Sequence, residues 1–257
     1  MPEPLSYAPG APCWTNLHTP DPGTAERFYT AVFGWEYEHV GPSSDRYTYA
    51  TSRRHMVAGI TPDTDADTAS WILSFATDSA DAVAGRVVRA GGEVREGPAD
   101  VGVLGRSVSA LDSCGAHVGF WQPRAHMGAG LFNETSALCW AELAVHDTQV
   151  ADAFYRAVLG LRAGRHAAAG EEHYAAFHLE SGEAVAGRTL LPPDREGAEP
   201  FWMPYFGVHD AQDAVDTAVR EKASVLHSGT NSAGQGLAVL ADPSGAVFAV
   251  LELPATG

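Results

Sequence analysis

CWTNLHTPDPGTAERFYTAVFG, residues 13–34, decides the fold because it recurs: 126 residues later, CWAELAVHDTQVADAFYRAVLG fills 139–160. The pair shares Cys-Trp, then Asp21/Asp147, Ala25/Ala151, Phe28-Tyr29/Phe154-Tyr155, Ala31-Val32/Ala157-Val158 and Gly34/Gly160. Self-similarity at one fixed distance means two homologous halves. Within the first copy, Ala25, Phe28, Tyr29, Val32 and Phe33 fall at i, i+3, i+4, i+7 and i+8, one apolar stripe of a helix. Ala151, Phe154, Tyr155, Val158 and Leu159 repeat that stripe. Asp21 followed by Pro22 reads as N-cap and first helical residue.

Outward from this stretch, Val57-Ala58-Gly59 returns as Val185-Ala186-Gly187, and Asp81-Ala82-Val83 as Asp213-Ala214-Val215. A Trp-led apolar segment precedes a helical pattern four times, at Trp14, Trp71, Trp140 and Trp202. Short β-like runs follow the helices, among them YTYAT (47–51), MVAGI (56–60), YAAFHL (174–179) and AVFAVLEL (246–253). Gly, Pro and Asp separate them as turns. The unit is strand, helix and three strands, four times over. This predicts an α+β chain of two tandem domains, each of two βαβββ modules. A tail (1–10), an N-terminal domain (11–124), a connector (125–137) and a C-terminal domain (138–254) complete the division.

Of the 257 residues, 16 are basic and 32 acidic, giving a net charge of −16. Such a surface repels phosphate backbones and anionic membranes, so no nucleic-acid or membrane partner is expected. Three cysteines, Cys13, Cys114 and Cys139, are odd in number and read as reduced thiols rather than a disulfide framework. They form no pattern at zinc spacing. MPEPLSYAPGAP at the start does not read as a signal peptide, and apolar runs stop short of the ~20 residues of a membrane helix. A cytoplasmic protein is expected.

Four βαβββ units, with FYxAVxG in the helix and DPSGA (242–246) before the last strand, resemble the vicinal oxygen chelate superfamily. Glyoxalases, extradiol dioxygenases and bleomycin-resistance proteins belong to it. WQPRAHMGAGLFNETSALCWAEL (121–143) and FWMPYFGVHD (201–210) resemble, more narrowly, duplicated actinobacterial proteins labelled glyoxalase-like or hydroxylase. The resemblance implies a divalent metal held by His, Gln or Glu on each first strand and Glu on each last strand. Carried onto this chain, the first-strand positions are Trp14, Trp71, Trp140 and Trp202. The last-strand positions are Gly59, Gly119, Gly187 and Ala249. None of the eight is a suitable ligand. Metal-independent chemistry with no cofactor is therefore expected.

Strand alternation assigns faces. Cys13, Thr15 and Leu17 point one way, and Trp14, Asn16 and His18 the other. In the repeat, Cys139, Ala141, Leu143 and Val145 form an apolar face toward the helix, leaving Trp140, Glu142 and Ala144 opposite. The four Trp are expected to wall pockets suited to flat aromatic ligands, core packing being the other placement open to them. Candidate ligand-binding residues are Trp14, Asn16, Tyr47, Tyr49, Trp71, Trp121, Trp140, Trp202 and Phe206. Candidate acids and bases are Glu142, His117 (beside Gly119) and His18. His126, Asn133 and Glu134 in the connector read as bracing. HSGTNSAGQG (227–236) reads as a hairpin or pocket rim, since it lacks a phosphate-loop lysine.

The expected activity is cofactor-free acid–base catalysis of the isomerase, cyclase or lyase type on a small aromatic or polyketide-like metabolite. The rival is a sequestering protein of the antibiotic-resistance type, and a third reading is a scaffold acting through protein contacts. The partner is a small molecule in the first two, and a homodimer is left open.

Overall fold

The computed structural model describes residues 6–41, 47–164, 174–191 and 198–254. Module 1 comprises β1 (Pro12–Thr19), α1 (Pro22–Phe33), β2 (Glu36–Val40), β3 (Tyr47–Ser52) and β4 (His55–Pro62). Module 2 comprises β5 (Ser70–Ala76), α2 (Ala80–Arg89), β6 (Glu93–Val101), β7 (Gly105–Leu111) and β8 (His117–Pro123). Module 3 comprises β9 (Leu138–Val145), α3 (Thr148–Leu159), β10 (Arg162–Gly164), β11 (Ala175–His178) and β12 (Ala184–Leu190). Module 4 comprises β13 (Phe201–Val208), α4 (Ala211–Arg220), β14 (Ser224–Thr230), β15 (Gly236–Ala241) and β16 (Val247–Glu252).

The first helix and its repeat start where the sequence signals them. Asp21 accepts from the Thr24 N–H with Pro22 in the first turn, and Asp147 accepts from the Gln149 and Val150 N–H groups. Gly34 and Gly160 close α1 and α3 at φ 69° and 73°, a left-handed conformation that a Cβ would strain. Ser79 and Asp210 stand at the N-termini of α2 and α4, their side chains accepting from the Ala82 and Asp213 N–H groups. The 227–236 segment is a hairpin, with Asn231 Oδ1 accepting from the Ala233 and Gln235 N–H groups.

Each half folds into one eight-stranded sheet, in the orders β2-β3-β4-β1-β5-β8-β7-β6 and β10-β11-β12-β9-β13-β16-β15-β14. First and last strands of a module lie parallel, and the two first strands of a half lie antiparallel at the centre. Helices cover one face of each sheet, and those faces are shared between halves. One core joins Phe28, Tyr29 and Trp35 of module 1 to Phe206, Val215 and Phe248 of module 4. The other joins Val83, Val87 and Phe120 of module 2 to Phe154, Tyr155 and Phe177 of module 3. Burial of this aromatic and aliphatic surface locks the halves together. The helix-free face of each sheet is turned away from the other half.

Two matching hydrogen-bond chains cross the interface. Trp71 Nε1 donates to the Tyr29 hydroxyl (3.0 Å), which donates to Asp242 Oδ2 (3.0 Å). Trp202 Nε1 donates to Tyr155 (2.7 Å), which donates to Asp112 Oδ2 (2.8 Å). The second oxygen of each carboxylate holds a turn, Asp242 accepting from the Ser244 and Ala246 N–H groups and Asp112 from those of Cys114 and Ala116. The tyrosine of FYxAVxG and the aspartate of DPSGA thus recur because they meet across the duplication. Burial outweighs these bonds and holds both carboxyls above the usual aspartate value.

Candidate functional site

Strand register identifies the equivalent positions on the helix-free faces. Asn16 lies opposite Gly59, Ser74 opposite Gly119, Glu142 opposite Gly187 and Tyr205 opposite Ala249. The last-strand positions match those expected, but their partners are not the four Trp. Trp14 and Trp140 stand two residues before the register position, on the same face. Trp71 and Trp202 stand three before it and therefore face the helices.

This corrects the expectation for Trp71 and Trp202. At 5% and 2% exposure they are core residues of the interface chains described above. Phe206 is corrected likewise: fully buried, it packs against Phe33, Trp35 and Trp71. The sequence carried the signal. Trp14 and Trp140 precede their N-caps, Asp21 and Asp147, by seven residues, whereas Trp71 and Trp202 precede Ser79 and Asp210 by eight. One extra residue in a strand of period two turns the indole over.

On the N-terminal face, Trp14 Nε1 donates to the Tyr47 hydroxyl at 3.1 Å. That hydroxyl lies against Gly59, in space a Cβ there would claim. Asn16 Nδ2 donates to Thr61 Oγ1 at 2.8 Å. Tyr49 packs edge-on against Tyr47 and Trp14, with centroids 4.9 and 6.1 Å apart. Trp121 Nε1 donates to the His126 carbonyl, and the His126 ring stands edge-on to Trp14 at 4.8 Å. The connector thus reaches onto this face as well as bracing it.

His117 Nε2 lies 2.7 Å from Ser109 Oγ, and His18 is close enough that a proton on its ring disfavours one on His117. Burial holds both imidazoles below the ordinary histidine value; Asp63 and Glu96 partly oppose this for His18, and His18 reinforces it for His117. Both are neutral near pH 7 and share the N-terminal face. Glu142 lies on the other sheet, so the three candidate acids and bases do not form one site.

On the C-terminal face, Trp140 Nε1 donates to the Tyr174 hydroxyl at 3.0 Å, and that hydroxyl lies against Gly187. The Trp–Tyr–Gly device is the same in both halves. At the register positions, however, the Tyr205 hydroxyl donates to Glu142 Oε2 at 2.5 Å. Burial and the adjacent carboxylate hold the Tyr205 phenol well above its usual range, since ionising it would place two negative charges together. Sequence reasoning missed Tyr174 and Tyr205. The parity that misplaced Phe206 also hid Tyr205, one residue away.

A divalent metal fits these residues poorly. The four register pairs supply one amide, one hydroxyl, one carboxylate and one protonated phenol, and the Tyr47 and Tyr174 hydroxyls crowd two last-strand glycines. Among the described residues, no group of three or more His, Cys, Asp or Glu could hold a metal ion. Cys13 and Cys139 do not pack toward the helices as expected, because strand irregularities place them with Trp14 and Trp140. Burial pushes the Cys139 thiol up to about 12 and the Cys13 thiol higher, so neither offers a thiolate.

A family model described as "Glyoxalase-like domain" matches residues 14–118, and one for the "Glyoxalase/Bleomycin resistance protein/Dioxygenase superfamily" matches 137–250. "Putative glyoxylase CFP32" of Mycobacterium bovis is 36% identical over 98% of both chains. "Anthracycline biosynthesis protein DauV" of Streptomyces sp. (strain C5) is 34% identical over 96% of this chain and 94% of its own. The Mn(II)-bound glyoxalase from Novosphingobium aromaticivorans shares the fold at TM-score 0.66 and 15% identity, over 95% of this chain and 82% of that one. With both halves matched and relatives aligned end to end, the chain belongs to the glyoxalase/bleomycin resistance protein/dioxygenase superfamily.

Proposed function

We propose that this protein is a metal-independent acid–base enzyme, of isomerase, cyclase or lyase type, acting on a small aromatic or polyketide-like metabolite. The Glu142–Tyr205 pair carries the proposal: a carboxylate and a protonated phenol 2.5 Å apart, beside Trp140. Glu142 takes a proton from carbon next to a carbonyl, and Tyr205, held protonated, donates its one hydroxyl hydrogen to Oε2 and so orients the carboxylate for that transfer. Trp140 supplies a flat apolar wall. The relative named for anthracycline biosynthesis supports the substrate class, since anthracyclines are flat fused-ring aromatics.

The second reading is a sequestering protein, favoured by the N-terminal face, where Trp14, Tyr47, Tyr49 and Trp121 supply aromatic surface and the register position carries Asn16 rather than a carboxylate. Native mass spectrometry of freshly purified protein identifies a co-purified ligand. Turnover of that ligand by wild type and Glu142→Gln then separates the readings. Lost turnover with retained affinity supports catalysis; unchanged turnover, or none in wild type, rejects it. Elemental analysis of protein purified without chelator tests metal independence, and stoichiometric Fe, Mn, Ni or Zn refutes it.

A further inference from the structure

We infer that the N-terminal helix-free face holds a ligand site of its own, built on His126 and Asn16, which takes a flat aromatic bearing hydroxyl groups. Two buried polar atoms there have no hydrogen-bond partner, Asn16 Oδ1 and His126 Nε2. Each belongs to a side chain otherwise held in place. Asn16 Nδ2 is bound to Thr61, which fixes the amide plane. His126 is anchored by its carbonyl to Trp121, and its ring is wedged between Trp14, Tyr49 and Trp121 at 4.8, 5.9 and 5.7 Å.

His126 is only 9% exposed, and burial keeps its imidazole neutral, able to accept or donate according to tautomer. Buried polar groups in native proteins are almost always paired, so two orphans on one aromatic face mark partners that arrive from outside. The surroundings define the visitor. Trp14, Tyr49 and Trp121 offer ring faces and edges that suit a planar π-system. Asn16 Oδ1 is an acceptor beside the Tyr47 hydroxyl, both filling the space against Gly59, and a ligand hydroxyl that reaches it displaces part of that packing and donates to it. The equivalent position in the other half carries no such orphan, because Glu142 is bound by Tyr205. Only the ligand's aromatic class rests on the function proposed above; the two unpaired atoms do not.

The test uses the full chain and a matched pair of probes, 2,6-dihydroxyanthraquinone, whose hydroxyls are free to hydrogen-bond, and its dimethoxy ether, with affinities read by calorimetry and tryptophan quenching. Wild type is expected to prefer the dihydroxy probe by about tenfold, as a site with unpaired polar groups rejects an analogue lacking the hydroxyls. His126→Phe, which keeps a ring in the wedge, and Asn16→Leu are each expected to erase most of that preference. Circular dichroism checks that both variants fold, and His126→Leu, which also removes the ring nitrogens, serves if the Phe variant does not. Equal affinities in wild type, no binding of either probe, or a preference untouched by the variants overturns the site and leaves the orphans with buried water only. These results are independent of turnover by Glu142→Gln, so failure of this site and failure of the acid–base reading are told apart.

Discussion

The two helix-free faces share a frame and differ in chemistry. Trp14–Tyr47–Gly59 and Trp140–Tyr174–Gly187 are the same device, an indole donating to a phenol that lies against a glycine. Between these frames the register positions diverge: Asn16 and Ser74 on one sheet, Glu142 and Tyr205 on the other. Duplication preserved the packing, whose loss would destabilise both copies, and released the polar positions to change. The packing frame therefore persists while the polar positions between its two copies differ.

The sharpest way to break this comparison is Glu142→Gln. It is expected to lower turnover by ~10²–10⁴-fold, the usual contribution of a positioned base, whereas His117→Ala on the other face leaves turnover of the same ligand within a few-fold. Stopped-assay kinetics on both variants decide, and comparable losses would mean that both faces are catalytic. Next come Tyr29→Phe and Tyr155→Phe, which strip the central hydroxyl from the two interface chains. Each leaves a buried carboxylate oxygen and an indole N–H without that partner, and each is expected to cost about 1–3 kcal/mol in urea unfolding. Unequal losses would show that the halves do not share the interface equally.

Trp14→Phe and Trp140→Phe are expected to have smaller effects, each removing one Trp–Tyr hydrogen bond, about 1 kcal/mol beyond the lost indole area. Denaturant midpoints should fall alike in the two variants. The mildest effect is pH dependence. His18 and His117 are held below the ordinary histidine value in the fold, so on acidification the unfolded chain takes up protons before the native one. Stability therefore falls as pH drops below about 6.5, down to the lowered native values. Thermal melts of His18→Gln/His117→Gln should show a weaker slope in that window, an effect confined to the N-terminal half.

Much of this was legible without coordinates. The recurrence of Cys-Trp and FYxAVxG, the helical stripes and the Asp caps announced four βαβββ modules, and Trp14, Trp140, Asn16 and Glu142 were assigned to the face they occupy. Trp71, Trp202 and Phe206 were misassigned because alignment on tryptophan ignored the odd residue between each first strand and its cap in modules 2 and 4. Tyr205 and Tyr174 were missed because their importance lies in what stands beside them, Glu142 and Gly187, on strands distant in sequence. His126 read as connector for the same reason: its contacts are with β1, β3 and β8.

The sequence by itself determined the module, its fourfold use, the start of the first helix with its repeat in the third, and the acidic composition. These follow from local periodicity, capping and composition, which act over a turn or a strand and need no partner. Tertiary structure alone decided which tryptophans lie on the helix-free faces, that module 1 shares its core with module 4 and module 2 with module 3, and that Glu142 meets Tyr205 while Asn16 Oδ1 has no hydrogen-bond partner. Those outcomes depend on register between strands distant in the chain, where one residue of slip exchanges core for surface.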